Sequence, residues 1–243
     1  AGLPEVVSQS SADTMPPFVQ HLAGVRSRGG LVVTDPRHSA TARLTAGGAG
    51  VHLQLAPGTD LVVLLGLAHL VVAQGGVDGD YVAERVDGFD AWRRSLASWW
   101  PERVEQRTGV PAAQLRRVAA TLMAASPSRG GRGAYLLTGR GAEQHAHGTD
   151  TVTAAINLAL ALGLPGRQGS GWGCLTGQGN GQGGREHGQK ADQLPGYRSV
   201  SDPVARAHVA QVWGVDPDDM PGPGVPAVEL LGRLGTPGGV RGL

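Results

Sequence analysis

A chain of 243 residues with 40% hydrophobic side chains can bury one large core or two small ones. Its formal net charge of +1, with Arg, Asp and Glu interspersed, offers no single-sign surface, so neither a nucleic-acid nor a membrane partner is expected. The single cysteine, Cys174, excludes a disulfide framework and a CxxC metal pair, and fits a reducing compartment such as the cytoplasm.

Residues 3–39, "LPEVVSQSSADTMPPFVQHLAGVRSRGGLVVTDPRHS", have a strand–turn–helix–turn–strand rhythm. "EVV" is a short strand, "SSADTMPP" supplies helix-start chemistry, "FVQHLAGV" spaces apolar residues helically, and "LVVT" is a buried strand. This βαβ pattern predicts an α/β fold with a parallel, Rossmann-like sheet covered by helices. "GVHLQLAPGTD" (50–60) reads as another strand and turn. The run "LVVLLGLAHLVVA" (61–73) is too short to span a bilayer and predicts a buried helix. Shorter helices are expected over 78–126, with a break at Thr108, Gly109 and Pro111. "GAYLLTGRG" (133–141) predicts a strand entering a Gly-rich turn, and "TDTVTAAINLALALG" (149–163) a helix with a Gly stop. The polar stretch from Thr176 to Gln193 follows, then helices in "DPVARAHVAQVWG" and "AVELLGRLG" around a Pro/Gly loop. The ends, "AGLPEVV" and "GGVRGL", read as cut, so a fragment of a longer polypeptide is expected.

Several stretches carry chemistry. "GNGQGG" (179–184) matches the GxGxxG pattern, but "REHGQKADQ" follows where a dinucleotide fingerprint needs an apolar helix. His145, His147, His187 and Cys174 lack the second close pair that a zinc site needs, so no metal ligand is assigned. In "VVTDPRHS", Asp35 lies just beyond a strand, where a carboxylate can take a ribose hydroxyl, and Arg37 can meet a phosphate; a plain turn with a solvated Asp–Arg pair explains the spacing equally well. "APGTD" places Thr59 and Asp60 at a helix start, either as a cap or as a carboxylate that takes both adjacent N–H donors of guanine. "TGRGAEQHAHGTD" (138–150) is overbuilt for a turn and reads as a ligand-facing loop.

The stretches "GCLTGQGNGQGGREHGQKADQLPGYR", "TDPRHSATA", "LAPGTD" and "GRGAEQHAHGTDT" together resemble the catalytic subunits of molybdopterin oxidoreductases of the dimethyl-sulfoxide-reductase type, and are most similar to bacterial assimilatory nitrate reductases. The resemblance covers essentially the whole chain. It implies molybdenum bound by two molybdopterin guanine dinucleotides, with a 4Fe-4S cluster and the molybdenum ligand in residues upstream of this chain. Thr34, Asp35, Pro36, Arg37 and His38 then match a loop that holds one nucleotide. Gly58, Thr59 and Asp60 match the turn that reads guanine, and Arg140 and Gln144 match two cofactor contacts. Gly177 and Gln178 match a shared cofactor-facing pair. The segment Ser8 to Thr14 matches the family's first loop but has Ser8 and Ser10 where Gly and Asn are usual. Cys174 does not match the molybdenum ligand position.

The resemblance also implies domains at 1–176 (dinucleotide-binding) and 177–243 (part of a second α/β domain carrying the polar loop). It implies nitrate as substrate, reduced to nitrite by oxygen-atom transfer, an electron donor protein or reductase subunit as partner, and the cytoplasm as location. Arg185 is expected to orient nitrate, with Thr176 beside it, because formate dehydrogenases carry an Arg at the position of Thr176. Formate dehydrogenase of the same superfamily and a non-catalytic nucleotide-binding module are the alternatives.

Overall fold

The alternation of strands and helices in the sequence becomes two short parallel ladders surrounded by helices. The computed structural model describes residues 18–28, 30–175 and 179–242. The "EVV" strand, the Ser8–Thr14 loop and Thr176, Gly177 and Gln178 lie outside these residues. The chain divides into two compact units, residues 1–177 and 178–243.

In the first unit, α1 (Phe18–Arg28) leads to β1 (Val32–Thr34), α2 (Ala40–Arg43) and β2 (Val51–Leu53). β1 and β2 pair in parallel, with Val32 opposite Val51 and Thr34 opposite Leu53. Then follow α3 (Asp60–Ala73), α4 (Gly79–Arg85), α5 (Phe89–Ser95), α6 (Pro101–Thr108) and α7 (Ala112–Ala125). β3 (Tyr135–Gly139), α8 (Arg140–Glu143), α9 (Gly148–Ala161) and β4 (Gly171–Leu175) complete the unit. β3 and β4 are parallel, with Tyr135 opposite Gly171 and Gly139 opposite Leu175.

α3 is the predicted apolar helix, and it is hydrophobic on every side because it is packed on several: α9, α7 and α6 all lie against it. Its Gly66 permits the close crossing with α6, since a Cβ there would lie 2.7 Å from Val104 Cγ2. Leu53, Leu96, Leu115, Leu158, Leu162 and Leu164 are essentially inaccessible within one continuous core. Each such leucine contributes about 2–5 kcal/mol by the cost of its replacement with Ala. His69, within α3, places Nδ1 2.9 Å from the Leu96 carbonyl, so its imidazole ties α3 to the chain that follows α5.

Asp78 fastens α4 to the end of α9. Its carboxylate caps α4 by accepting the Tyr81 N–H, and it pairs with Arg167 at 2.8 Å. Its own N–H donates to the Ala161 carbonyl, and the Tyr81 hydroxyl donates to the Pro165 carbonyl.

The second unit is thinner. Its described elements are α10 (Gly181–Glu186), β5 (Gln193–Leu194), β6 (Arg198–Ser199), α11 (Pro203–Trp213) and α12 (Ala227–Gly232). Its small core comprises Leu194, Val200, Ala205, Val209, Ala210 and Met220. Arg206 substitutes for apolar packing: its guanidinium donates to the carbonyls of Val200, Pro217, Met220 and Pro221. β5 and β6 are antiparallel, so among the described residues the parallel pairing of this α/β chain is confined to the first unit. Among the described residues no helix is long and apolar enough to cross a membrane.

Candidate functional site

The chemistry-bearing residues of the first unit stand on three loops, each leaving the carboxyl end of a strand: 34–38 after β1, 56–60 after β2, and 140–147 after β3. In open α/β sheets this edge is where ligands bind, because helix starts and loop N–H groups face outward there.

The first loop is held by its own polar groups. Asp35 accepts the Arg37 N–H at 2.8 Å on one carboxylate oxygen and the Ser39 hydroxyl at 2.8 Å on the other. His52 of β2 places Nε2 2.9 Å from the Asp35 carbonyl, and Gln54 donates to the Pro36 carbonyl. Burial pushes the Asp35 carboxyl up, but the Arg37 N–H, the Ser39 hydroxyl and the Arg37 charge outweigh it and hold the group below its ordinary value. Thr34, Pro36, Arg37 and His38 are exposed. The Arg37 guanidinium makes no hydrogen bond or ion pair among the described residues, so the solvated Asp–Arg side-chain pair does not form. The His38 ring rests near that of His52, with centroids 5.5 Å apart.

The second loop is differently arranged. Gly58 adopts a positive φ of 79°, which turns the chain into α3. Thr59 occupies the cap position of α3, but its hydroxyl donates back to the Ala56 carbonyl at 2.7 Å and caps nothing. Asp60 is half-buried, and among the described residues its carboxylate accepts only its own backbone N–H. Burial raises its carboxyl above the ordinary value; its own N–H and the nearby His145 oppose the rise, and the Asp35 carboxylate adds to it. The charges of Asp35 and His145, from the first and third loops, thus both act on Asp60.

In the third loop, Arg140 pairs with Glu143 at 3.1 Å. The other oxygen of Glu143 lies 3.5 Å from the Thr138 hydroxyl and accepts from the Cys174 thiol at 2.7 Å. Gln144 is exposed at the end of α8. His145 accepts the His147 N–H on Nδ1, which leaves the proton of its neutral ring on Nε2. That Nε2 is buried and has no hydrogen-bond partner among the described residues. His147 stands 3.3 Å from Asp150 at the surface.

The described part of the polar stretch, residues 179–193, belongs to the second unit. "GNGQGG" leads into α10, whose six residues include none that is buried, so the packed helix of a dinucleotide fingerprint is absent there. Arg185 donates from Nε to the Gly181 carbonyl and does not pair with Glu186; its terminal nitrogens are open among the described residues. No group of three His, Cys, Asp or Glu side chains is placed to hold a metal ion among the described residues.

Two features of the site escaped the sequence reading. One is β4, where Gly171 and Gly173 interrupt any strand-like alternation; it delivers Cys174 to Glu143. The other is the Arg140–Glu143 pair, whose three-residue spacing on a helix was the available signal.

A family model described as "Molybdopterin oxidoreductase" matches residues 23–218. The assimilatory nitrate reductase catalytic subunit of Bacillus subtilis is 36% identical over 96% of the chain, which covers 31% of that protein. Formate dehydrogenase H of Escherichia coli is 33% identical over 87% of the chain, and 28% of it is covered. The nitrate reductase of Synechocystis is 35% identical over 83% of the chain, and 27% of it is covered. The chain thus spans about a third of the length of these relatives.

Proposed function

The chain belongs to the molybdopterin oxidoreductase family, and on that premise we propose that it forms the central part of a molybdenum-dependent nitrate reductase. The observation that carries this reading is two unsatisfied groups, each beyond the carboxyl end of a strand. Asp60 is a half-buried carboxylate with no partner beyond its own N–H among the described residues, and His145 has a buried N–H with no acceptor. A guanine edge suits both, since its two adjacent N–H donors match a carboxylate and its carbonyl matches an imidazole N–H. Residues 1–177 then hold a molybdopterin guanine dinucleotide. Asp60 takes the base with Gly58 and Thr59 shaping the turn; Thr34, Asp35, Pro36 and His38 form the nucleotide loop; Arg37 and Arg140 face phosphate, with Gln144 beside them. Gly177 and Gln178 are assigned to the cofactor by the resemblance alone.

When bound, the molybdenum–pterin group supplies the two-electron chemistry by which nitrate, two electrons and two protons give nitrite and water. A donor protein or reductase subunit in the cytoplasm would supply the electrons, and a 4Fe-4S cluster in the parent protein would be the group to carry them. The part of this chain is to attract and orient the anion. The open end of the Arg185 guanidinium can hold a planar oxyanion through two parallel hydrogen bonds, and the neutral Thr176, where formate dehydrogenases carry an Arg, leaves the anion-attracting role to Arg185. The names of two of the relatives favour nitrate. Formate oxidation is the second reading, favoured by the similarity to formate dehydrogenase H.

The test uses the full-length enzyme. Arg185→Lys keeps the charge and loses the fork, so kcat/KM for nitrate should fall about tenfold or more while molybdenum content stays intact. Unchanged nitrate kinetics would remove Arg185 from the site. Formate oxidation by the unmutated enzyme, without nitrate reduction, would replace nitrate by formate.

A further inference from the structure

Glu143 has no role in the reading above, yet it is the most heavily bonded side chain of the third loop. Its side chain is 16% exposed, and its carboxylate faces donors from three elements: Arg140 of α8, Thr138 of β3 and Cys174 of β4. The loop is also pinned below it, since Gly148 donates to the His145 carbonyl and a Cβ at Gly148 would collide with the Glu143 carbonyl. Arg140, by contrast, is exposed, and one terminal nitrogen is engaged by Glu143. A long, flexible cation on a surface loop is thereby held from behind by a carboxylate that is fixed to two strands.

We propose that Glu143 is the positioning residue for Arg140: it orients the guanidinium so that the remaining N–H groups face the anionic part of the bound nucleotide. The inference rests on the reading of Arg140 as a phosphate contact. Physically, the Glu143 carboxylate acts in two opposed ways. Its negative charge repels the anion and would weaken binding, whereas fixing the arginine fork lowers the ordering cost of two charge-assisted hydrogen bonds and strengthens it. The positioning role requires that the second effect win.

The sign of one substitution therefore decides. Glu143→Gln retains an acceptor oxygen for Thr138 and Cys174 but removes the charge. Guanosine diphosphate is titrated into the 243-residue chain by calorimetry at low salt, with melting temperatures recorded in parallel. Arg140→Ala should weaken binding about tenfold, the usual worth of a charge-assisted hydrogen bond. Glu143→Gln should weaken it several-fold with the melting temperature nearly unchanged, and in the Arg140→Ala background it should cause no further loss. Tighter binding by Glu143→Gln alone would show that charge outweighs positioning and would overturn the proposal. So would an equal loss in the Arg140→Ala background, which would make Glu143 a fastener of the loop. If Arg140→Ala leaves affinity unchanged, or the unmodified chain binds no guanosine diphosphate, the nucleotide reading of this loop falls, and the positioning role falls with it.

Discussion

The loop after β1 and the turn after β2 lie side by side in sequence logic, strand then carboxylate, and the structure treats the two carboxylates in opposite ways. Asp35 has both oxygens bonded within its own loop, to the Arg37 N–H and the Ser39 hydroxyl, and its carboxyl is held low. Asp60 is buried more than it is bonded, and its carboxyl is pushed up. A satisfied carboxylate builds geometry; an unsatisfied one keeps bonding capacity that its own loop does not use. Asp78 extends the first class: it caps α4 and pairs with Arg167 while almost fully buried.

This contrast breaks if removal of either class reports in the wrong observable. The largest effect should come from Asp78→Ala. It strands Arg167 and the Tyr81 N–H, and should cost about 3 kcal/mol, the low end for a broken buried pair. For a chain of this size that lowers Tm by roughly 6–12 °C, readable by calorimetry, with nucleotide affinity unchanged relative to the folded fraction. Asp60→Ala should do the reverse. Guanosine diphosphate binding should weaken by about 2 kcal/mol, roughly 30-fold, because guanine donors lose their acceptor, while Tm holds or rises. Thr59→Ala, which removes a hydroxyl bonded to the Ala56 carbonyl, should leave affinity within about twofold. Equal losses for Asp60 and Thr59 would place both in the turn and neither at a ligand.

The smallest effect is in pH, and its sign separates the pair. Asp35 titrates lower in the folded chain than its ordinary 3.8, so it contributes stability above 3.8 that is lost as pH falls through its lowered value. Asp60 titrates higher than 3.8, so its contribution is present below 3.8 and is lost as pH rises through its raised value. Melting curves against pH should thus lose their acid-side decline in Asp35→Asn and flatten on the other side of 3.8 in Asp60→Asn. Nucleotide affinity should fall as pH drops through the raised Asp60 value, since a protonated carboxyl cannot accept both guanine donors. Curves that shift alike in the two variants would erase the distinction.

Much of the fold was legible because it is local. The strand at "LVVT", the apolar α3 and the Gly stop after α9 at Gly163 all follow from periodicity and stop signals within a few residues, while the first strand of the expected βαβ unit lies outside the described residues. The three chemistry-bearing loops were legible for the same reason, as Gly-rich or carboxylate-bearing turns directly after strands. What the chain order did not carry is which polar groups meet. Asp35 and Asp60 look alike in sequence, and the even choice between turn and ligand at "VVTDPRHS" could not be resolved there. β4 was hidden because glycines at 171 and 173 suppress strand alternation, and its pairing with β3 is set by α9 packing between them in the chain. The residues therefore determined by themselves the α/β class, the main helices and the polar turns that follow the strands, because backbone preference acts over neighbouring positions. Only the tertiary structure decided that Asp35 is satisfied, that Asp60 and His145 are not, and that Glu143 reaches Arg140, Thr138 and Cys174 at once, because hydrogen-bond partners and burial are assigned by contacts between elements distant in sequence.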